Sequence, residues 1–550
     1  MKDYLKSKIK QAVSKLGEEI SEPVLERPKE QAHGDYSTNA AMLLAKKLKK
    51  NPREIAKNII DNILPDEKYI SKVEIAGAGF INFHIAPSFF IEQSAQILSK
   101  GNKYGRFYAN AGKTANIEWV SANPTGPLHA GHGRHISLGK AVANLLEWSG
   151  YGVTREYYYN DAGKQMENLA ASVYAKYRQM FEPEFPFPEN GYAGTYINDI
   201  AKILKDEYGD KLVNETDLTL FKNAGENYCF KLIKNTLRTF GIEHDKFFSE
   251  STLYDKGQIK KILEDFKSKN LSYEKDGAVW LKTSELLKNK KDAEDKVIVK
   301  STGEPTYRLP DMAYHINKLE RGYDSVVDVF GADHGDTYKE VLAGVGGLGY
   351  DAEKIKVIIH QMVTFMQEGK PVKMSKRSDN VYYLDDLIED VGADVAQFFF
   401  VMRSANTHLD FDITLAKEQS DKNPVFYLQY AHARICGILR NAYDIFPEYE
   451  IEVLTADTSL LKSAEEISLA KILTVFPDEV EKAAETYEPH KIITYLNEAA
   501  EAFHRFYHEN RVVNPEDKNL SLARLILCKA AQIVLRNGFA IIGITAPERM

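Results

Sequence analysis

The sequence predicts a multidomain chain. Residues 1–105 form a small α+β domain, 106–409 a parallel α/β domain with an insertion at about 165–300, and 410–550 an all-α bundle. Three observations predict it. A strand, a glycine-rich loop and a helix succeed one another over 116–149, the opening of a nucleotide-binding α/β domain. Short apolar runs bounded by polar turns return at Ser325–Phe330 and Lys356–His360, as buried parallel strands do. Beyond about residue 410 strand signals vanish and helical periodicity runs to the end. A chain of 550 residues also suits about three domains.

The elements follow in order. Leu5, Ile9, Ala12 and Leu16 share one face of a first helix. A second helical stretch spans roughly 38–50, and Asn51-Pro52 opens a third, carrying Ile55, Ile59 and Ile63. From Val73 to Ile85, β-branched and aromatic residues around paired glycines read as strand, tight turn, strand. Asn116–Ala122 is a strand feeding a Pro/Gly loop, with a helix from about 133 to 149 and the next parallel strand at Val153–Asn160.

Composition narrows the class. Hydrophobic residues make up 44% and charged residues 27%, which excludes disordered, collagen-like and mucin-like chains. The three cysteines, Cys229, Cys436 and Cys528, are far apart, so neither a disulfide scaffold nor a cysteine-built zinc site is expected. No run of 18 apolar residues predicts a membrane span, and the N-terminus is an amphipathic helix rather than a signal peptide; a cytoplasmic chain is expected. The net charge of −8 argues against a generic nucleic-acid binder, yet residues 1–60 hold thirteen Lys and Arg against eight Asp and Glu. That basic end suits either local phosphate contact or a solvated helix face.

Two motifs carry chemistry. His129-Ala130-Gly131-His132 stands at a strand-to-helix junction inside Val120–His135. Two imidazoles three residues apart, with helix-end amides, suit a phosphate oxyanion. Ala130 and Gly131 are small enough for a flat base to lie on the backbone, and Gly133 keeps the helix start open. A metal-binding pair or a decorated turn are the alternatives, and no further ligand set lies nearby. About 240 residues later comes Lys373-Met374-Ser375-Lys376-Arg377, after the turn Glu368–Pro371. Three cations on one loop suit a triphosphate clamp; alone, the segment equally suits an exposed basic loop.

Together, HAGH and KMSKR resemble the HIGH and KMSKS signatures of class I aminoacyl-tRNA synthetases, with Ala130 and Arg377 as departures. Within that class the chain resembles the arginyl-tRNA synthetase family over nearly its whole length. VSANPTGPLHAGHGRH, EYYYNDAGKQ, GADHGD, NPVFYLQYAHARI, HGDYSTNAA and the closing GITAPERM carry that likeness. The resemblance implies a Rossmann-like catalytic domain between an N-terminal domain for the tRNA elbow and a helical anticodon-binding domain. It implies an ATP-dependent ligase that forms arginyl-adenylate and passes the arginine to tRNA(Arg). ATP would come with Mg²⁺, no zinc is expected, and a monomer is expected.

The implied roles fall on particular residues. His129 and His132 would stabilise charge at the α-phosphate, and Lys373 and Lys376 would neutralise pyrophosphate. Pro124, Gly126, Leu128, Gly131, Gly133, Asp333, His334, Gln361, Met362, Met374 and Ser375 would complete the ATP site. Glu118, Ser121, Asn123, Tyr307 and Asp311 would hold arginine, since a guanidinium needs carboxylates in planar array. A charge in mid-strand, as at Glu118, is costly unless paired. The pair is either a cationic ligand or an internal Lys or Arg. Tyr307 also reads as a core aromatic, and Asp311 as a helix cap. Tyr159, Asn160, Asp161 and Gln165 match a stretch near the active site. Phe80 and Asn82 would meet a D-loop base, with Phe80 replacing a common Tyr. Tyr427, Arg434 and Met550 would lie at the anticodon, in a segment that also contains Tyr430 and His432; a bundle core is the alternative. The rival functions are a synthetase for another amino acid, a nucleotidyltransferase without need of the bundle, and a non-catalytic RNA-binding relative.

Overall fold

The computed structural model describes residues 1–28, 30–63, 68–287, 293–372 and 382–550. The chain divides into two units, one of residues 1–101, 435–475 and 501–533, the other of 102–434, 476–500 and 534–550.

In the first unit, helix Lys2–Lys15 buries Leu5, Ile9, Ala12 and Val13; the expected Leu16 lies half-buried just past the helix end. Helix Pro52–Asn62 starts where Asn51 and Pro52 predict. The Asn51 side chain accepts the Arg53 N–H at 2.9 Å, and the Pro ring sits in the first turn. Strands β1 (Tyr36–Thr38), β2 (Ile70–Ala76) and β3 (Phe80–Ile85) form an antiparallel sheet in the order β1-β3-β2. The β2–β3 turn needs Gly79: its φ is +128°, and a Cβ there would lie 2.8 Å from Pro52. That turn delivers Phe80 to the surface. Helix Pro87–Lys100 packs on helix Ala464–Thr474, and Lys471 reaches Asp35 at 2.9 Å.

The second unit is built on a five-stranded parallel sheet. Its strands are β4 (Thr114–Glu118), β5 (Gly152–Tyr159), β6 (Lys246–Ser249), β10 (Ser325–Gly331) and β11 (Ile355–His360), in the order β11-β10-β4-β5-β6. Ala115, Ile117, Val326, Val327 and Val329 are fully buried, as continuous apolar strands covered on both faces must be. Helix Gly133–Trp148 lies against β4, β5 and β10. It buries residues all round, and Gly139 lets it seat flush on Trp119, where a Cβ would meet the indole at 2.1 Å.

The 165–300 stretch is not wholly an insertion. Helices Gly163–Gln179, Thr195–Tyr208 and Thr219–Thr239 form one lobe around Phe221, Tyr177 and Ile197, but the chain then returns to add β6 to the main sheet. A small antiparallel sheet follows, of β7 (Ser272–Lys275), β8 (Ala278–Leu281) and β9 (Lys296–Val299). Past β11, β12 (Val363–Gln367) pairs with β13 (Lys370–Pro371) in the predicted turn and with β14 (Leu409–Asp412). Beyond it the chain is helical. Among the described residues one helix, Lys518–Ile542, is long and apolar enough to cross a membrane, and 78% of its apolar window is buried within the protein.

Candidate active site

The sheet order reverses between β4 and β10, and in such folds the crevice at the strand carboxyl ends there takes the ligand. β4 ends at Glu118. Val120 and Ser121 follow with φ of +74° and +45°, two successive L-residues in the left-handed region. Such backbone costs about 1–3 kcal/mol per residue and persists only when the surroundings hold it. Here the Ser121 hydroxyl donates to Glu118 Oε1 at 2.7 Å and accepts the Tyr158 N–H at 3.2 Å. The turn carries the following loop over the sheet end, where a cavity of about 530 Å³ is lined by Asn123, Gly126, His129, His132, Gln165 and Tyr383, among others. Pro124 and Leu128 are buried beneath the loop.

The two histidines of the first signature stack, with ring centroids 3.6 Å apart. The His129 backbone N–H donates to His132 Nδ1 at 3.2 Å, so the neutral His132 ring carries its proton on Nε2. Burial lowers the His132 pKa to about 3, helped by neighbouring His129, and burial lowers that of His129 as well. Both rings are therefore neutral N–H donors before an anion arrives. Gly131 is exposed, whereas Ala130 is buried and its N–H donates to the Tyr382 carbonyl at 2.9 Å. The space at Gly133 is not open: a Cβ would lie 2.3 Å from the Phe400 ring, so this glycine serves helix packing. Lys373, Met374, Ser375, Lys376 and Arg377 lie outside the described residues. The chain on their C-terminal side is tied to the histidine loop, since the Leu384 N–H donates to the Leu128 carbonyl at 2.8 Å.

The expected arginine residues divide. Glu118 is buried, and its Oε2 accepts from Lys318 Nζ at 2.5 Å. Lys318 also reaches Asp328 at 2.5 Å, and His315 Nε2 meets the other Asp328 oxygen at 3.0 Å. Burial opposes charge on Lys318 and His315, but Asp328 outweighs it and both pKa values are raised. Two cations thus balance two carboxylates. In the structure without substrate the internal lysine is the partner of Glu118, and burial still holds the Glu118 pKa above its ordinary value.

Asp311 stands differently. Among the described residues its carboxylate has no hydrogen-bond partner; only its backbone carbonyl meets His315, at 2.7 Å. Burial pushes its pKa up to about 6; His315 and His334 oppose this, and the charges of Glu118 and Glu250 push the same way as burial. Asp311 lies inside the first turn of helix Arg308–Glu320, not at its cap. Tyr307 is 53% exposed, so it is no core aromatic. Asn123 donates to Gln165 Oε1 at 2.7 Å and accepts the Asn160 N–H at 3.0 Å, which sets its side chain at the cavity wall.

Glu250 escaped sequence reasoning. It follows β6, accepts from the Tyr158 hydroxyl at 2.6 Å, and burial raises its pKa. Asp161 holds it in place by accepting from the hydroxyls of Ser249 and Ser251, each at 2.7 Å. The signal was the acid closing Lys246–Ser249, hidden because that strand was assigned to the insertion. Lys318 was legible as a cation on the buried face of its helix, with Leu309, Met312 and Ile316.

At the far side of the crevice, Asp333 and His334 occupy a single turn after β10, with His334 stacked on Phe330 at 5.1 Å. Met362 is 68% exposed. Gln361 is held by a residue not foreseen: the buried Arg134 guanidinium donates to the carbonyls of Gln361 at 2.8 Å and Ser404 at 2.9 Å.

Of the expected RNA contacts in the first unit, Phe80 is 38% exposed. Asn82 is buried, with its Oδ1 accepting from Ser37 at 2.7 Å, so its oxygen braces the sheet. In the second unit, Arg434 lies over the exposed Tyr430 ring at 4.6 Å and donates to its hydroxyl at 2.8 Å. Tyr427 is partly buried, and His432 is buried with its Nδ1 2.9 Å from the Pro547 carbonyl. Met550 is 55% exposed.

Comparison with known proteins matches three family models in order. They are the arginyl tRNA synthetase N-terminal domain over 3–85, the class I (R) tRNA synthetase catalytic domain over 93–407, and the DALR anticodon binding domain over 428–550. An arginine–tRNA ligase of Salinibacter ruber is 46% identical, covering 100% of both chains. One of Chlorobaculum parvum is 47% identical over 98% of each. The solved arginyl-tRNA synthetase of Thermus thermophilus, 20% identical and covering both chains fully, shares the fold with a TM-score of 0.77.

Proposed function

The chain belongs to the arginyl-tRNA synthetase family, and on that premise we propose that it is an arginine–tRNA ligase acting in cytoplasmic translation as a monomer. It joins arginine and ATP into arginyl-adenylate and pyrophosphate. It then passes the arginyl group to the terminal adenosine of tRNA(Arg), releasing AMP.

One observation supports the substrate assignment: Asp311 and Glu250, two carboxylates within electrostatic reach of each other, both have raised pKa values. A guanidinium satisfies both and restores their charge. Tyr307 covers it, and Asn123 meets the α-amino or carboxylate end. The arginine carboxylate then attacks the α-phosphate in line, by position and charge complementarity rather than a protein nucleophile. The His132 Nε2–H and His129 donate to the phosphate oxygens as charge develops. Lys376, supported by Lys373, neutralises the departing pyrophosphate, whose Mg²⁺ arrives with ATP. Asp333 takes the ribose hydroxyls, and Gln361 and Met362 flank the adenine. In the second step the 2′-hydroxyl of the terminal adenosine attacks the adenylate. Phe80 stacks at the tRNA elbow, and Tyr430, Arg434 and Met550 face the anticodon.

The test is ATP–pyrophosphate exchange with each of the twenty amino acids, with and without bulk tRNA. Exchange with arginine, appearing when tRNA is present, is the expected result. Exchange with another amino acid alone overturns the roles of Asp311 and Glu250.

A further inference from the structure

A second cavity, of about 670 Å³, lies at the opposite end of helix Gly133–Trp148 from the histidine cradle. Sixteen residues of helix separate the two ends, about 24 Å at 1.5 Å per residue. Its lining includes Lys103, Arg106, Tyr108, Trp148, Arg536 and Asn537, and no carboxylate. On a chain of net charge −8 that is an unusual surface. Among the described residues none of the three cations makes an ion pair, and all three are exposed.

The cavity is also built rather than incidental. The Arg106 guanidinium lies over the Trp148 ring at 4.6 Å. The Phe107 N–H donates to the Trp148 carbonyl at 3.0 Å, and the buried Asn537 amide donates to the Tyr104 carbonyl at 2.9 Å. Stacking holds the guanidinium while leaving its in-plane N–H groups for a bidentate acceptor. Tyr108 is 63% exposed and offers an aromatic face.

We propose that this cavity binds the phosphodiester backbone of the tRNA, a contact apart from the reaction centre. Lys103, Arg106 and Arg536 neutralise neighbouring phosphates, and Tyr108 packs on a ribose or base. The inference rests on the ligase reading for the identity of the RNA. Three cations from chain segments some 430 residues apart, spread around an open cavity, suit a run of phosphates better than one small anion. Contacts of this kind add affinity without base specificity.

The test compares wild type with the double variant Lys103→Gln/Arg536→Gln, the single variant Arg106→Gln, and Arg536→Lys. Filter binding of tRNA is read across a salt series, alongside thermal unfolding. For the double variant, the slope of log K against log salt should fall by roughly 0.8 for each phosphate no longer neutralised, and low-salt Kd should rise about tenfold. Arg536→Lys should keep the wild-type slope, and KM for ATP and arginine should not move in any variant. Wild-type slope and Kd in a double variant that unfolds like wild type would overturn the proposal. Titration of ATP and of inorganic phosphate separates the sources. A second nucleotide or phosphate site abolished in the double variant, with tRNA binding intact, makes the ligand a free anion and overturns the RNA assignment. If wild type fails to charge arginine, the ligase reading falls, while the salt slope with bulk tRNA still reads this cavity.

Discussion

Replacing Asp311 by Asn isolates the charge proposed to select the substrate. The change keeps the side-chain shape and removes only the anion. Without arginine, burial, with a smaller push from the carboxylates nearby and against His315 and His334, raises the Asp311 pKa from 3.8 to about 6. A bound guanidinium that returns the group to its ordinary range supplies about two pKa units, or about 3 kcal/mol at 1.36 kcal/mol per unit. Charge-assisted hydrogen bonds measured by mutation span about 1.5–3 kcal/mol, which agrees. Arginine KM should therefore rise about 10²-fold in Asp311→Asn, with ATP KM unchanged. Pyrophosphate exchange at saturating ATP and tRNA, with arginine varied, reads this directly. An arginine KM within about threefold of wild type would refute the reasoning, for the carboxylate would then not face the substrate. Glu118→Gln provides the contrast. It removes a partner of the buried Lys318, so unfolding should become easier by about 3 kcal/mol while arginine KM changes little in protein that remains folded.

Other outcomes follow from the same geometry. The Asp311 pKa is raised, so the charged form proposed to bind guanidinium is present above about pH 6 and lost below it. Arginine KM should climb as pH falls through 6, and Asp311→Asn should flatten that profile. His132→Asn keeps an acceptor near the His129 N–H but loses the Nε2–H, and kcat should drop about 10²–10³-fold without change in arginine KM. Gly133→Ala drives a Cβ into the Phe400 ring, so the thermal midpoint should fall by an amount corresponding to about 1–3 kcal/mol. Phe80→Ala should weaken tRNA binding by about 1–3 kcal/mol in the exchange-independent filter assay, whereas Asn82→Ala should act on stability through its missing bond to Ser37.

Much of the fold was legible because it is written locally. Strand Thr114–Glu118, the glycine-rich loop and helix Gly133–Trp148 are each set by a short run of residues. Their hydrophobic periods differ, and turn residues punctuate them. The same holds for Asn51-Pro52 at a helix start and for the strands of Ser325–Gly331 and Ile355–His360. The strand Lys246–Ser249 was missed because four residues carry too little period to stand out within some 130 residues of helical and charged sequence. Phe80 and Asn82, two apart on one strand, have the same expected direction; Ser37 on the neighbouring strand buries one and the open turn leaves the other exposed.

By itself the sequence determined the chemistry available: histidines at a strand-to-helix junction, a lysine-rich second signature, and acids beside a nucleotide-binding fold. It did so because the two signatures are contiguous patterns that, taken together and in order, resemble one family. Only the tertiary structure decided which acid is paired within the protein. Helix Arg308–Glu320 lays Lys318 against Glu118, 200 residues earlier in the chain, and β6 brings Glu250 to Tyr158. In a buried site the charge left over after internal pairing selects the ligand, and pairing across such separations is set by packing, which no local pattern records.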